Sequence, residues 1–269
     1  MRNLEVKVIK FCSLFSGSDG NCQFISSGHT SILVDAGLSG VKVQNEMKKL
    51  GLEPSQLDGI FVTHEHIDHI QGVGVLSRRF DIPVYATEKT WLAMESKVGK
   101  IKEKNCKLIA ADQDYCLQDL LIQPFHISHD ASEPLGFNVL NDKKKISLLT
   151  DTGCVNDYIV SKMRGCHIVL IESNHDEELL KVGPYPWSLK QRIMSEWGHL
   201  SNDNAAEFLK VLLNGGEHVF LGHLSRENNF PELAYKTVTY SLSEHQSLWE
   251  QNVTVHMTHR DRASTILEI

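Results

Sequence analysis

No stretch of this sequence is long and apolar enough for an export signal or a membrane span, since the opening MRNLEVKVIKFCSLFS is interrupted by Lys7 and Lys10. A cytoplasmic protein with no membrane partner is the expectation. The six cysteines (Cys12, Cys22, Cys106, Cys116, Cys154 and Cys166) contain no C-x-x-C pair, and no two lie closer than ten residues. They read as reduced, mostly buried thiols rather than as a zinc site or a disulfide framework. A basic field is also missing: 27 Lys and Arg against 34 Asp and Glu give a formal charge of −7. This argues only weakly against nucleic acid, because bound cations cancel carboxylates locally. No repeat, low-complexity tract or Pro/Gly/Ser-rich linker divides the chain. With 41% hydrophobic content it can bury a substantial core, and residues 1–269 are expected to form a single domain.

Against these absences stands the run His64-Glu65-His66-Ile67-Asp68-His69. The apolar segment Ile60-Phe61-Val62 feeds it as a buried strand, and Ile70-Gln71-Gly72-Val73 reads as the start of a helix. His64 and His66 are two apart, so an extended backbone points both the same way. Asp68 and His69 fall where the chain turns, and face elsewhere. The spacing predicts a two-metal site rather than one closed structural zinc.

Strands are expected at about 6–14, 21–26, 31–35, 58–63, 83–86, 115–127, 135–140, 145–150, 167–172, 219–221, 252–256 and 264–269. Helices are expected near 39–50, 88–98, 155–163, 201–214 and 231–245. Ser201 is the N-cap of the helix at 201–214, Gly215-Gly216 its stop, and Asn141-Asp142-Lys143 a hairpin turn. Strands in groups with helices interspersed fit an α/β (α+β) αββα sandwich, two mixed sheets face to face with helices outside.

Further ligand types sit at strand ends: Asp35 after Ile32-Leu33-Val34, His129 after Phe125-His126-Ile127, Asp151 after Leu148-Leu149-Thr150, and His223 after Leu221-Gly222. His129 would complete a three-histidine shell with His64 and His66. Asp68, His69 and His223 would hold the second ion, and Asp151 would bridge the two. Asp35 is expected to orient a loop histidine by hydrogen bonding. Histidine and carboxylate suit two divalent ions, Zn²⁺ or Mn²⁺, with Fe also compatible.

In this order, Asp, H-x-H-x-D-H, His, Asp, His, the residues resemble those of the metallo-β-lactamase superfamily, which implies its αββα fold. Asp151 to His223 spans 72 residues, too short for the insertion of the β-CASP nucleases, and the 22 from His129 to Asp151 leave no room for the tRNase Z arm. A narrower resemblance rests on Ser16-Gly17-Ser18-Asp19-Gly20-Asn21-Cys22, Ser128-His129-Asp130-Ala131 with Glu133-Pro134, and Glu172-Ser173-Asn174-His175-Asp176. It continues through Gly198-His199-Leu200-Ser201-Asn202 and Gly222-His223-Leu224-Ser225-Arg226-Glu227-Asn228-Asn229. Together these are similar to the WalJ (YycJ) family, which implies a DNA substrate and 5′-to-3′ exonuclease activity on duplexes.

Phosphodiester cleavage needs an activated water, charge neutralisation at phosphorus, and a proton for the leaving oxygen. Two cations would acidify a bridging water and polarise the phosphate. The acid expected is His199, hydrogen-bonded by Glu172, as the resemblance to tRNase Z-like enzymes implies. Asp68, His199 and Glu172 are thus the candidate catalytic residues. Ser16, Ser18, Asn21, Arg226 and Asn228 are candidate substrate contacts. The basic run Lys97, Lys100, Lys102, Lys104 and Lys107 reads as a solvated loop that a DNA backbone could also follow. Tyr185, Trp187, Lys190, Arg192 and Trp197 read as amphipathic packing or as a nucleic-acid platform. A glyoxalase II-like thioesterase, or another small-molecule metallo-hydrolase, would use the same ligands, although only 46 residues follow His223. A non-catalytic, metal-dependent DNA-binding module is the second alternative. No obligate protein partner is inferred.

Overall fold

Short, largely apolar strands, interrupted by capped helices, build two halves of similar plan. The structure is a computed structural model that describes residues 8–244 and 252–269. The first half runs β1 (Lys10–Phe15), β2 (Cys22–Ser26), β3 (Ser31–Val34), α1 (Gly40–Lys49), β4 (Gly59–Phe61), α2 (Ile67–Ile70), α3 (Val73–Phe80), β5 (Val84–Ala86), α4 (Glu88–Val98) and β6 (Cys106–Leu108). The second runs β7 (Tyr115–Leu117), β8 (Leu120–His126), β9 (Leu135–Asn141), β10 (Lys144–Leu149), α5 (Asp157–Met163), β11 (Ile168–Glu172), α6 (Glu177–Val182), α7 (Trp187–Ile193), α8 (Asn202–Leu212), β12 (His218–Gly222), α9 (Pro231–Glu244) and β13 (Thr254–Met257). Finally β14 (Leu267–Glu268) returns to pair with β1.

Each half makes one seven-stranded sheet, ordered β14-β1-β2-β3-β4-β5-β6 and β13-β12-β11-β10-β9-β8-β7. In both sheets an antiparallel run gives way to three parallel pairings, β3-β4-β5-β6 and β10-β11-β12-β13. The parallel strands are joined through helices, as a parallel crossover requires. Their carboxyl ends carry the candidate ligands.

Strand residues are buried on both faces. Phe11, Ile25, Ile32, Val34 and Phe61 of the first sheet meet Ile122, Phe137, Leu148, Leu170 and Phe220 of the second. Phe11 meets Phe220 edge-on at 4.8 Å, and Phe61 meets Phe137 at 5.9 Å. On the outer faces, Leu33 and Ile60 pack with Val43, Met47 and Leu76 of the first helical layer. Val169 and Leu221 pack with Ala205, Leu209 and Val238 of the second. The expected αββα sandwich is therefore observed.

Helix starts follow capping chemistry. Ser39, Thr87 and Ser201 each accept a backbone N–H from the first turn of α1, α4 and α8. The expected single strand at 115–127 is instead a hairpin, β7 and β8, turning at Gln118 in the left-handed region (φ 53°). Gln-Asp lacks the Asn-Gly signature of such turns. The start of the strand expected at 6–14 and the end of the helix expected at 231–245 lie outside the described residues. Cysteine burial is also lower than expected: Cys12, Cys22 and Cys166 are buried, but Cys106 and Cys116 are exposed.

Phe137 is fully buried between the sheets. Phe137→Ala should lower unfolding stability by about 3–5 kcal/mol in denaturant titrations. A change under about 1 kcal/mol would contradict this account of the core.

Candidate metal centre

Three candidate residues sit in left-handed backbone conformations where strands end: Asp35 (φ 61°) after β3, Asp151 (φ 58°) after β10 and His223 (φ 50°) after β12. Asp and His tolerate this region better than most residues, at a cost of order 1–3 kcal/mol each. The turn swings each side chain across the edge of the sandwich. Asp35 and Asp151 occupy matching places in the two halves, each after the first strand of a parallel run.

The His64–His69 segment is gripped by backbone hydrogen bonds. The Asn21 N–H donates to the Asp68 carbonyl (2.8 Å), the Ala36 N–H to the His69 carbonyl (2.9 Å) and the Gly72 N–H to the Ala36 carbonyl (2.7 Å). At Gly37 any Cβ would fall on the Asp68 carbonyl, so glycine alone allows this approach. Glu65 turns away, accepting the Ser132 N–H (2.8 Å) and hydroxyl (2.7 Å), which ties the His129 loop to this segment.

The donors fall into overlapping groups, each with ligand atoms within 4.8 Å of one another: His64, His66 and His129; Asp68, His69 and His223; and His64, His69 and Asp151. A further group joins His129 and Asp151 to His199. Asp151 Oδ2 lies 3.1 Å from both His69 Nε2 and His223 Nδ1, and Asp151 Oδ1 lies 3.8 Å from His129 Nε2. Despite these distances, Asp151 Oδ2, His223 Nδ1 and His64 Nε2 are buried without a hydrogen-bond partner among the described residues. These atoms converge without the alignment of hydrogen bonds. That geometry, with all-nitrogen and carboxylate donors, fits divalent cations.

Neighbouring groups fix the imidazoles. The His69 Nδ1–H donates to Asp35 Oδ2 (2.7 Å), which turns Nε2 toward Asp151. Asp35 also accepts the Thr63 N–H (2.8 Å) and hydroxyl (2.9 Å), and the Thr63 oxygen lies 2.9 Å from His64 Nδ1. The His129 Nδ1–H donates to the Gly198 carbonyl (3.2 Å), leaving its Nε2 inward. Burial and the surrounding imidazoles push His64 well below its usual pKa, keeping it neutral. Burial opposes ionisation of Asp151, but His223 and His69 outweigh it and hold the carboxyl well below its usual range.

Beside this cluster, the His199 Nδ1–H donates to Glu172 Oε2 (2.9 Å), and Glu172 Oε1 accepts the Thr152 N–H (2.6 Å). Burial pulls the imidazolium down, yet Glu172 prevails and holds it up at about 9. Ser18, Asp130, Asn174, Tyr185, Arg192 and Ser225 line a cavity of about 160 Å³ with His199.

Not every expected substrate contact is available to a substrate. Ser16 and Asn21 are buried; the Ser16 hydroxyl accepts the His223 N–H (2.9 Å), and the Asn21 amide meets His69 Nε2 (3.1 Å). Asn228 is fully buried, and its N–H donates to the Ser225 hydroxyl (3.2 Å). These three brace the loops instead. Ser18 and Arg226 are exposed at the mouth. The lysine run is largely engaged, with Lys102 and Lys104 paired to Asp81 and Lys97 donating to the Glu65 carbonyl. Of the ring-rich segment, Trp187 and Trp197 are exposed, while Lys190 is buried and donates to the Lys181 carbonyl. Residue-by-residue reading missed Thr63, whose hydroxyl links Asp35 to His64, and the Asp130–Arg192 ion pair. The position of Thr63 beside His64 was the available signal.

Comparison with known proteins adds to this geometry. Residues 30–224 match the family described as the Beta-lactamase superfamily domain. The chain is 42% identical over 237 residues to Exodeoxyribonuclease YycJ of Bacillus anthracis, covering 88% of this chain and 90% of that one. It is 41% identical over 263 residues to Exodeoxyribonuclease WalJ of Streptococcus pneumoniae, covering 97% and 98%. The fold is similar to that of the metallo-β-lactamase fold protein YhfI from Bacillus subtilis (TM-score 0.70, 17% identity, 98% and 100% covered). It is also similar to that of the short form of human tRNase Z (TM-score 0.63, 17% identity, 97% and 99% covered).

Asp35→Ala should weaken divalent-ion binding about 10–100-fold in calorimetric titration, because His69 loses its orienting acceptor. Unchanged affinity would remove Asp35 from the site.

Proposed function

The chain belongs to the β-lactamase superfamily and, within it, to the family of the YycJ and WalJ exodeoxyribonucleases, and from that premise we propose a two-ion exodeoxyribonuclease that digests duplex DNA from 5′ to 3′. His64, His66 and His129 would hold one ion, Asp68, His69 and His223 the other, and Asp151 would be shared. Zinc and manganese both suit these donors, with iron also compatible. The observation that carries the reading is the pair of buried Glu172 and partly exposed His199, 2.9 Å apart and bordering the donor cluster through Asp151.

When bound, divalent ions at such a site acidify a water and neutralise charge building on the phosphate. The chain supplies the rest. Glu172 holds His199 by Nδ1, so the opposite ring nitrogen, Nε2, is left to face a substrate. As water adds to phosphorus and the bond to the 3′-oxygen breaks, Nε2 gives its proton to that oxygen. The released nucleotide carries a 3′-hydroxyl, and the shortened strand keeps a new 5′-phosphate. A thioester leaves as a thiolate that needs no such acid, so the pair favours phosphodiester over thioester chemistry. Among the described residues no helix is long and apolar enough to cross a membrane, and a cytoplasmic site of action fits a DNA substrate.

His199→Ala should keep its metal and lose about 10²–10⁴-fold in turnover. Loss of metal in that variant would make His199 a ligand instead. His66→Ala and Asp68→Ala should lose both metal, measured by elemental analysis, and nuclease activity; full activity in either would overturn the ligand assignment. Duplex DNA, single strands, RNA and a thioester should be compared with Mn²⁺ and with Zn²⁺. The proposal expects nucleotide release from duplex DNA, and rapid thioester hydrolysis without it would overturn it.

A further inference from the structure

A second cavity, of about 500 Å³, is walled in part by Asp19, Arg226, Phe230, His259 and Arg260. The two cavities share one seam. Ser18 and Ser225 line the His199 side, and their chain neighbours Asp19 and Arg226 line the other.

Arg260 is built into this place. Its aliphatic stem packs where Gly17 has no side chain, and one guanidinium N–H donates to the Leu224 carbonyl (2.8 Å). Leu224 follows the candidate ligand His223 directly. Arg192 with Asp130 is the only arginine–carboxylate ion pair among the described residues. Asp19 and Asp261 share the cavity wall with Arg226 and Arg260, but neither reaches ion-pair distance of either arginine. Two guanidinium forks, one of them half-buried, thus face a cavity with donors uncommitted to carboxylate.

We infer that Arg226 and Arg260 bind the 5′-phosphate of the terminal nucleotide, so that the protein grips phosphorylated DNA ends; this rests on the exonuclease reading above. The direction of cleavage supplies the logic. His199 protonates the leaving 3′-oxygen, so the departing nucleotide lies on the His199 side of the ions. The other end of that nucleotide is its 5′-phosphate, which the seam carries toward the arginines. A cavity of this volume suits one nucleotide, and the half-exposed Phe230 ring offers its base a stacking surface. Each cleavage leaves a fresh 5′-phosphate on the shortened strand, so the same grip re-forms at every step.

The test uses the metal-loaded protein and two duplexes identical except for a 5′-phosphate or a 5′-hydroxyl. The kcat/KM ratio should favour the phosphorylated end by about tenfold or more. It should fall toward one in Arg226→Ala and Arg260→Ala, with Arg260→Lys intermediate. A wild-type ratio near one, or a ratio unchanged in both alanine variants, overturns the inference. Calorimetry with a deoxynucleoside 5′-monophosphate against the free deoxynucleoside separates this failure from that of the exonuclease reading. If no DNA is digested, exonuclease function fails. Phosphate-dependent binding that both alanine variants weaken about tenfold would then still support the arginine site, and binding that neither weakens would overturn it. Arg226 is exposed, so its variant reports even if Arg260→Ala fails to fold.

Discussion

The buried carboxylate of Asp151 stands between two groups of imidazoles, and most of the architecture follows from having to place it there. An isolated buried carboxylate is costly enough that it would normally protonate. Here His69 and His223, each 3.1 Å away, keep it ionised. Three aspartates and five histidines at one edge also bring like charges and lone pairs together. Divalent cations would relieve that crowding, which is why an unsatisfied, converging donor set is informative here and a scattered one would not be.

The fold meets this demand by doubling one plan. Each half ends an antiparallel run with parallel strands, and the carboxyl ends of both parallel runs reach the same edge. Asp35 and Asp151, at matching positions, have diverged in task. One carboxylate orients His69 and bonds Thr63, while the other faces the cluster directly. The sequence shows no internal repeat, because shared topology needs only shared burial patterns, not shared residues. The left-handed turns at Asp35, Asp151 and His223 are the local strain that this convergence entails.

Much of this was legible because the signals were local and periodic. The H-x-H-x-D-H spacing, the strand-end positions of Asp35, Asp151 and His223, and the Ser201 cap each follow from a few adjacent residues. The αββα arrangement followed from the grouping of strands and helices. What escaped depends on distant partners. Nothing in Ser16, Asn21 or Asn228 themselves says that they brace buried loops rather than face a substrate; His223, His69 and Ser225 decide that. The lysine run looked free because Asp81, its partner, is some twenty residues upstream. The turn at Gln118 was hidden by an atypical residue pair. Short elements such as β6 and α6 carry too few residues for a periodic signal.

The proposed exonuclease chemistry needs two divalent ions in this one cluster, about Asp151. Its most direct test is anomalous diffraction from crystals of the protein loaded with Mn²⁺. Two peaks are expected flanking Asp151, one among His64, His66 and His129 and one among Asp68, His69 and His223. A single peak, or peaks away from Asp151, would contradict it.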